Sequence, residues 1–170
     1  MIDEVLTGSQ VTLRPVRAGD EEKLMMIFSD PEVARWWGDP AKSVSDTMEI
    51  GEGESHFVIE LGGEAVGVIQ CLEETDPMYR HASIDISLRS EWQGKGLGPD
   101  AIRMLARYLI EQRGHHRVTI DPAAGNTRAI KAYERVGFKR IGLMRQYERG
   151  PDGSWHDGLL MDMLAEELRD

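Results

Sequence analysis

Apolar positions recur along this chain with two periods, and the predicted elements change where the period changes. Val11 to Val16 reads as a short strand that Pro15 confines to an edge or an end. Past Gly19, Asp20 stands as an N-cap before Leu24, Met25, Ile27 and Phe28, which share one helical face. Asp30-Pro31 restarts the chain as a second short helix that ends near Trp36, Trp37 and Gly38. Ser43 to Glu54 is acidic and weakly patterned, so it reads as a mobile loop or a poor helix, in a position to act as a lid.

The period then becomes that of strands. His56 to Leu61 and Ala65 to Leu72 are apolar, β-branched runs separated by Gly62-Gly63, a hairpin signal, and Ala82 to Leu88 returns as the third strand of a meander. Ile102, Leu105, Ala106, Leu109 and Ile110 fall at helical spacing from Pro99 to Gly114, followed by a strand, Arg117 to Asp121. A second amphipathic helix presents Ala129, Ile130, Tyr133 and Val136 and closes at Gly137. Phe138 to Tyr147 and Gly158 to Leu164 pair across a Gly-Pro-Asp-Gly turn. The order predicts a mixed α/β fold and a single domain over residues 1–170.

Between the third strand and the Pro99 helix lies Gln93-Gly94-Lys95-Gly96-Leu97-Gly98. Three glycines before a helix let a tight turn aim its N–H groups inward, where unpaired amides and the helix dipole favour a phosphate. A nucleoside-triphosphate loop needs Gly-Lys-Ser/Thr, but Gly96 follows Lys95, which excludes it. Gly96, Gly98 and Ala101 satisfy a dinucleotide fingerprint. That fold, however, places its first glycine directly after a fully buried strand, and here Ser90 to Lys95 intervene. The strand also alternates Ser83, Asp85 and Ser87 with Ile84, Ile86 and Leu88, so it is half-polar.

Composition narrows the partners. Thirty acidic against twenty basic residues give a net charge of −10, which opposes a nucleic-acid surface and attracts cationic ligands. Cys71 is the only cysteine, so neither a disulfide framework nor a thiolate metal cluster is expected, and a reducing, cytoplasmic setting is. No apolar run approaches membrane-spanning length, and the histidines lack metal-ligand spacing, so no metal is expected. His115-His116 reads as a solvated loop pair.

Gln93 to Gly98 matches the Gln/Arg-x-x-Gly-x-Gly/Ala motif of the GCN5-related N-acetyltransferases, and Asn126 to Phe138 resembles that superfamily's downstream helix. Leu13-Arg14-Pro15 and the closing hairpin extend the resemblance over nearly the whole chain, and Ser90 departs from it where many relatives carry proline. Within the superfamily the chain is most similar to aminoglycoside 6'-N-acetyltransferases, at Trp36-Trp37-Gly38, Glu74-Thr75-Asp76-Pro77, Ile84-Asp85 and Asp121-Pro122.

The resemblance implies a central mixed, mostly antiparallel sheet of about seven strands flanked by helices, and acetyl-CoA as donor. It implies that Gln93, Gly94, Lys95, Gly96, Leu97 and Gly98 hold the pyrophosphate, Lys95 near its charge. It further implies that Ile86, Ser87 and Leu88 splay from their neighbour to pair with pantetheine, with the Leu88 N–H facing the thioester oxygen, and that Tyr133 donates a proton to the leaving thiolate. Asn126 either caps its helix or bonds the pantetheine. An attacking amine must lose a proton, and Asp85, on the polar strand face, is the candidate base. Trp36, Trp37, Glu73, Asp121 and Asp157 are candidates for the acceptor side. The expected reaction is direct acetyl transfer to a small cationic amine, an aminoglycoside foremost, by a monomer or homodimer. The alternatives are a protein N-terminal or ribosomal-protein acetyltransferase and, outside enzymes, a CoA-binding interaction module.

Overall fold

The computed structural model describes all 170 residues. An eight-stranded mixed sheet runs in the order β1-β2-β3-β4-β5-β6-β8-β7. Its strands are β1 (Leu6–Thr7), β2 (Thr12–Pro15), β3 (Glu54–Leu61), β4 (Glu64–Glu74), β5 (His81–Leu88), β6 (Arg117–Ile120), β7 (Lys139–Arg149) and β8 (Trp155–Leu164). Only β5 and β6 pair in parallel; the other neighbours are antiparallel. The eighth strand is β1, two residues that pair with β2 and are too short to leave a period in the sequence.

Helices α1 (Glu21–Phe28), α2 (Pro31–Trp37) and α3 (Pro40–Met48) bury Leu24, Ile27, Phe28, Val33 and Val44 against Val58, Ala65 and Val68 on one face of the sheet. On the other face α4 (Leu97–Glu111) and α5 (Thr127–Val136) pack over Phe57, Ile59, Ile69 and Ile84. Helices on both sides explain why β3 and β4 read as near-continuous apolar runs while β2 alternates.

Of the two readings of Ser43 to Glu54, a mobile loop or a poor helix, the helix holds for the first part, and Glu54 already belongs to β3. The segment holds most of α3, started by Pro40 and by the Asp39 carboxylate, which accepts from the Lys42 N–H at 3.2 Å. Its inward face is only Ser43, Val44 and Thr47, too polar to read as a core stripe. Similarly α4 begins at Leu97, two residues before Pro99, with Gly96 as N-cap.

Gly67 of β4 lies against the far end of β5. A Cβ there would sit 2.2 Å from the Ser87 carbonyl oxygen and 2.7 Å from Leu88 Cδ2. Gly67→Val is therefore expected to cost about 1–3 kcal/mol by overpacking and to displace Ser87 and Leu88. Thermal unfolding would show a Tm lower by several degrees, and an unchanged Tm would mean that β5 yields freely.

Candidate active site

The parallel pairing of β5 with β6 stops at Ser83↔Thr119, so the two strands part beyond it. A cleft of about 980 Å³ opens there. Ile86, Ser87 and Leu88 line one wall, facing Asn126 and Tyr133 from the loop before α5 and from α5 itself. The expected splay is thus present, and it exists because β6 ends after four residues at Asp121-Pro122.

At one end of the cleft stands the glycine turn. Gly94 (φ 74°) and Gly96 (φ 83°) occupy left-handed backbone, and a Cβ on Gly94 would meet nothing within 4 Å. Gly96 offers no side chain to cap α4, so the first amides of that helix keep no partner of their own. Gln93 Nε2 donates to the Leu88 carbonyl at 2.7 Å, which ties the turn to the end of β5, while its Oε1 is buried without a partner. Gly98 lets the first turn of α4 approach Leu88, whose Cδ1 would lie 3.3 Å from an added Cβ. A phosphate-bearing group fits this cradle. The backbone of Gln93 to Gly98 would hold it, and Leu97 contributes only backbone because its side chain is buried in the core. The Lys95 ammonium is a correction: it lies over the Trp92 ring at 4.6 Å, and Lys95 does not line the cleft.

The other end is acidic. Asp85 touches cleft solvent yet is hemmed in by protein, and its carboxyl accepts from the Ile86 N–H at 2.9 Å. Desolvation, with the neighbouring charge of Asp121 adding to it, pushes the Asp85 carboxyl up to about 7. Tyr133 is buried, and burial together with Asp85 and Asp121 raises its phenol, which stays protonated at neutral pH and available as a donor. Trp36 and Trp37 both line the cleft. Arg35 covers the ring of Trp36 at 4.8 Å, and Trp37 packs on Phe28 with centroids 5.2 Å apart. Asn126 caps α5, its Oδ1 accepting from the Ala129 N–H at 3.3 Å, and it also lines the cleft.

Two acceptor-side candidates lie elsewhere. Glu73 is buried at the end of β4, where Arg113 grips it through two hydrogen bonds of 3.1 Å and His115 bonds it at 2.8 Å. His115 is accordingly a buried partner and not a solvated loop residue. Burial pushes the Glu73 carboxyl up, but the hydrogen bonds from Arg113 and His115 outweigh it and leave the group below its ordinary value. Asp157 is the second correction. It accepts from the Gln146 N–H at 2.8 Å, and its own carbonyl accepts from Ala124 N–H at 2.8 Å. It braces a turn and does not line the cleft.

What Asp157 braces brings in residues that the sequence pattern missed. The register of β7 against β8 shifts between Met144 and Glu148, and Gln146 there has φ 49°. This bulge aims two consecutive residues, Tyr147 and Glu148, into one cleft, which a regular strand cannot do. Gly158 makes room: a Cβ on it would lie 2.9 Å from the Tyr147 ring. The neighbouring Asp121 carboxylate, with burial, pushes the Tyr147 phenol up to about 12. Burial and then Asp121 raise the Glu148 carboxyl. Glu32 of α2 adds a fourth carboxylate to the lining. Cys71 lies in the core rather than the cleft, its thiol pushed up to about 12 chiefly by burial, so it offers no thiolate to carry an acetyl group.

The Glu73 cluster has its own consequence. Because its folded carboxyl lies below the unfolded value, the stability it contributes is present above about pH 4.3 and is lost as pH falls through the folded value. Glu73→Gln is expected to cost about 3 kcal/mol at neutral pH, the low end for a buried pair since Arg113 keeps contact with solvent. Unfolding followed from pH 7 to pH 3 should find a flatter acid limb in the variant; parallel curves would contradict this account of Glu73.

The acetyltransferase (GNAT) domain family matches residues 10–139, and the chain belongs to it. It is 30% identical over 168 residues to the aminoglycoside N(6')-acetyltransferase type 1 of Klebsiella pneumoniae, covering 86% of this chain and 81% of that one. Spermidine N(1)-acetyltransferase of Escherichia coli (strain K12) is 26% identical over 149 residues, covering 83% and 80%. Among solved structures, Mycobacterium smegmatis RimJ in complex with CoA-disulfide superposes with a TM-score of 0.85 at 26% identity, covering 99% of this chain and 90% of that one. The chain is an N-acetyltransferase of a family that uses acetyl-CoA.

Proposed function

We propose that this enzyme transfers the acetyl group of acetyl-CoA directly to a small polycationic amine, an aminoglycoside through its 6'-amino group. The observation that carries the acceptor class is the convergence of Asp85, Asp121 and Glu148 in a cleft that the glycine turn also lines, with Glu32 of α2 adding a further carboxylate to the lining. Burial, and then the charge of Asp121, raise the affinity of Asp85 and Glu148 for a proton, and an ammonium that takes the proton's place is favoured by the same field. Trp36 and Trp37 beside them offer flat apolar surface to a sugar ring. The match to the aminoglycoside enzyme, longer and higher in identity than that to the spermidine enzyme, favours the sugar over the linear polyamine.

In this reading Asp85 takes the proton of the attacking ammonium. Such an amine has a pKa near about 10, so a carboxylate poised near neutrality is a better acceptor than an ordinary aspartate. The Leu88 amide serves the thioester oxygen, where one preorganised donor contributes about 3 kcal/mol. Tyr133, protonated, supplies the leaving thiolate with a proton. Asp121 holds a second ammonium beside the Tyr147 phenol.

Thiol release from acetyl-CoA tests the acceptor across aminoglycosides with a 6'-amine, matched compounds with a 6'-hydroxyl, polyamines and peptides. Turnover with the 6'-amines and its loss with the 6'-hydroxyl compounds is expected. Turnover confined to peptide N-termini would overturn the aminoglycoside reading.

A further inference from the structure

Between the pairs Met144↔Gly158 and Glu148↔His156 the closing hairpin loses its register, so that Arg145, Gln146 and Tyr147 of β7 stand opposite one residue of β8, Asp157. Gln146, at φ 49°, is the only non-glycine residue of the chain with positive φ. Left-handed backbone costs a glutamine what it does not cost a glycine, and a local bond has to hold the turn. The Asp157 carboxylate supplies that bond, its Oδ1 accepting from the Gln146 N–H at 2.8 Å. The same stretch of β8 reaches the opposite side as well. The Asp157 carbonyl accepts from the Ala124 N–H at 2.8 Å, Gly158 bridges to Ala123, and the Leu159 N–H donates to the Pro122 carbonyl at 2.9 Å. Asp157 therefore joins the bulge that carries Tyr147 and Glu148 to the turn that follows Asp121, although it is exposed and stands outside the cleft lining.

From this arrangement we infer that Asp157 is a positioning residue for the acceptor: by holding the Gln146 turn it fixes Glu148 and Tyr147 relative to Asp121, and so sets where a second ammonium of a polycationic amine binds. The inference rests on reading the acidic cleft as the acceptor site. The first ammonium, the one that reacts, meets Asp85, which comes from β5 and does not depend on the bulge. The second has to meet Asp121 and Glu148 together, and these arrive on separate elements whose relation the Asp157 bonds decide. Without the brace Gln146 relaxes out of left-handed backbone. A strand that loses or gains one residue of register turns its side chains to the opposite face, which takes Tyr147 or Glu148 out of the cleft. Gly158 shows how closely the bulge is fitted, since a Cβ there would lie 2.9 Å from the Tyr147 ring. An exposed carboxylate that only deepens the negative field would act through its charge and be indifferent to the bond with Gln146.

The test uses the polycationic amine that the wild type turns over fastest, aminoglycoside or polyamine, and measures kcat and both KM values for three variants. Asp157→Ala is expected to raise KM for that amine about tenfold or more, as for a lost charge-assisted contact, with kcat and KM for acetyl-CoA unchanged, since the base and the glycine turn are untouched. Asp157→Asn removes the charge but keeps an oxygen for the Gln146 N–H, and should stay close to the wild-type KM. Adding Glu148→Gln to Asp157→Ala should raise KM by much less than the product of the two single effects, because both act on one ammonium site. An unchanged KM in Asp157→Ala, an equal loss in Asp157→Asn, effects that multiply, or a rise in both KM values together would overturn the positioning role while leaving the acceptor reading standing. Failure of the wild type to turn over any polycationic amine would overturn the acceptor reading, and the role of Asp157 with it.

Discussion

Asp85→Asn is expected to lower kcat by about a hundredfold or more, the usual contribution of a positioned general base, with little change in KM for acetyl-CoA. Asparagine keeps the size of the side chain and can still accept the Ile86 N–H that holds Asp85 in place. What it removes is the ability to take a proton. The same substitution carries a second signature of opposite sign. The Asp85 carboxyl is raised on folding, so its ionised form destabilises the native state, and stability falls as pH rises through about 7. A neutral side chain abolishes that penalty, and Asp85→Asn should unfold at a higher Tm than the wild type at pH 8. A variant that is slower and more stable cannot be explained by misfolding. Undiminished turnover would remove Asp85 as the base, and a lower Tm would contradict the desolvated setting ascribed to it.

Gly96→Val is expected to reduce affinity for acetyl-CoA by more than a hundredfold, equivalent to over about 2.7 kcal/mol. Two costs combine. Gly96 has φ 83°, a conformation that a β-branched residue adopts only with strain. Its relaxation would turn the amides of the loop away from the cradle. The added carbon would also stand 3.4 Å from Gln10 Nε2 and crowd the entry to α4. Isothermal titration with CoA gives the loss directly. Retained affinity would mean that the pyrophosphate is held elsewhere. Because Gly96 lies outside the sheet, a large fall in Tm is not expected to accompany it.

The glycine-turn end of the cleft was legible because it is local. Glycine spacing, the half-polar period of Ser83 to Leu88 and the helical stripe of Ile102 to Leu109 each write their geometry into consecutive residues. The acidic end is assembled over longer distances. Whether Glu73 faces a substrate or the protein is decided by Arg113 and His115, some forty positions away at 3.1 and 2.8 Å, and nothing near Glu73 announces them. Tyr147 and Glu148 escaped the period-two reading because a bulge turns both inward, and the only trace of it in sequence is the pair Asp157-Gly158 opposite. Asp157 carries a charge that suits the acceptor side, whereas the structure uses it as a brace. The α3 helix was hidden because its buried side is Ser43, Val44 and Thr47, and polar residues that pack do not register as a stripe.

The account turns on a carboxylate that takes a proton from an amine inside an acidic cleft, and its most direct test is the pH dependence of kcat/KM for the acceptor at saturating acetyl-CoA, wild type against Asp85→Asn. The wild-type profile should fall as pH drops through about 7, where the Asp85 carboxyl takes up its proton. In the variant that limb should vanish, leaving only the ionisation of the acceptor amine. Two superimposable profiles, differing in height alone or not at all, would contradict it.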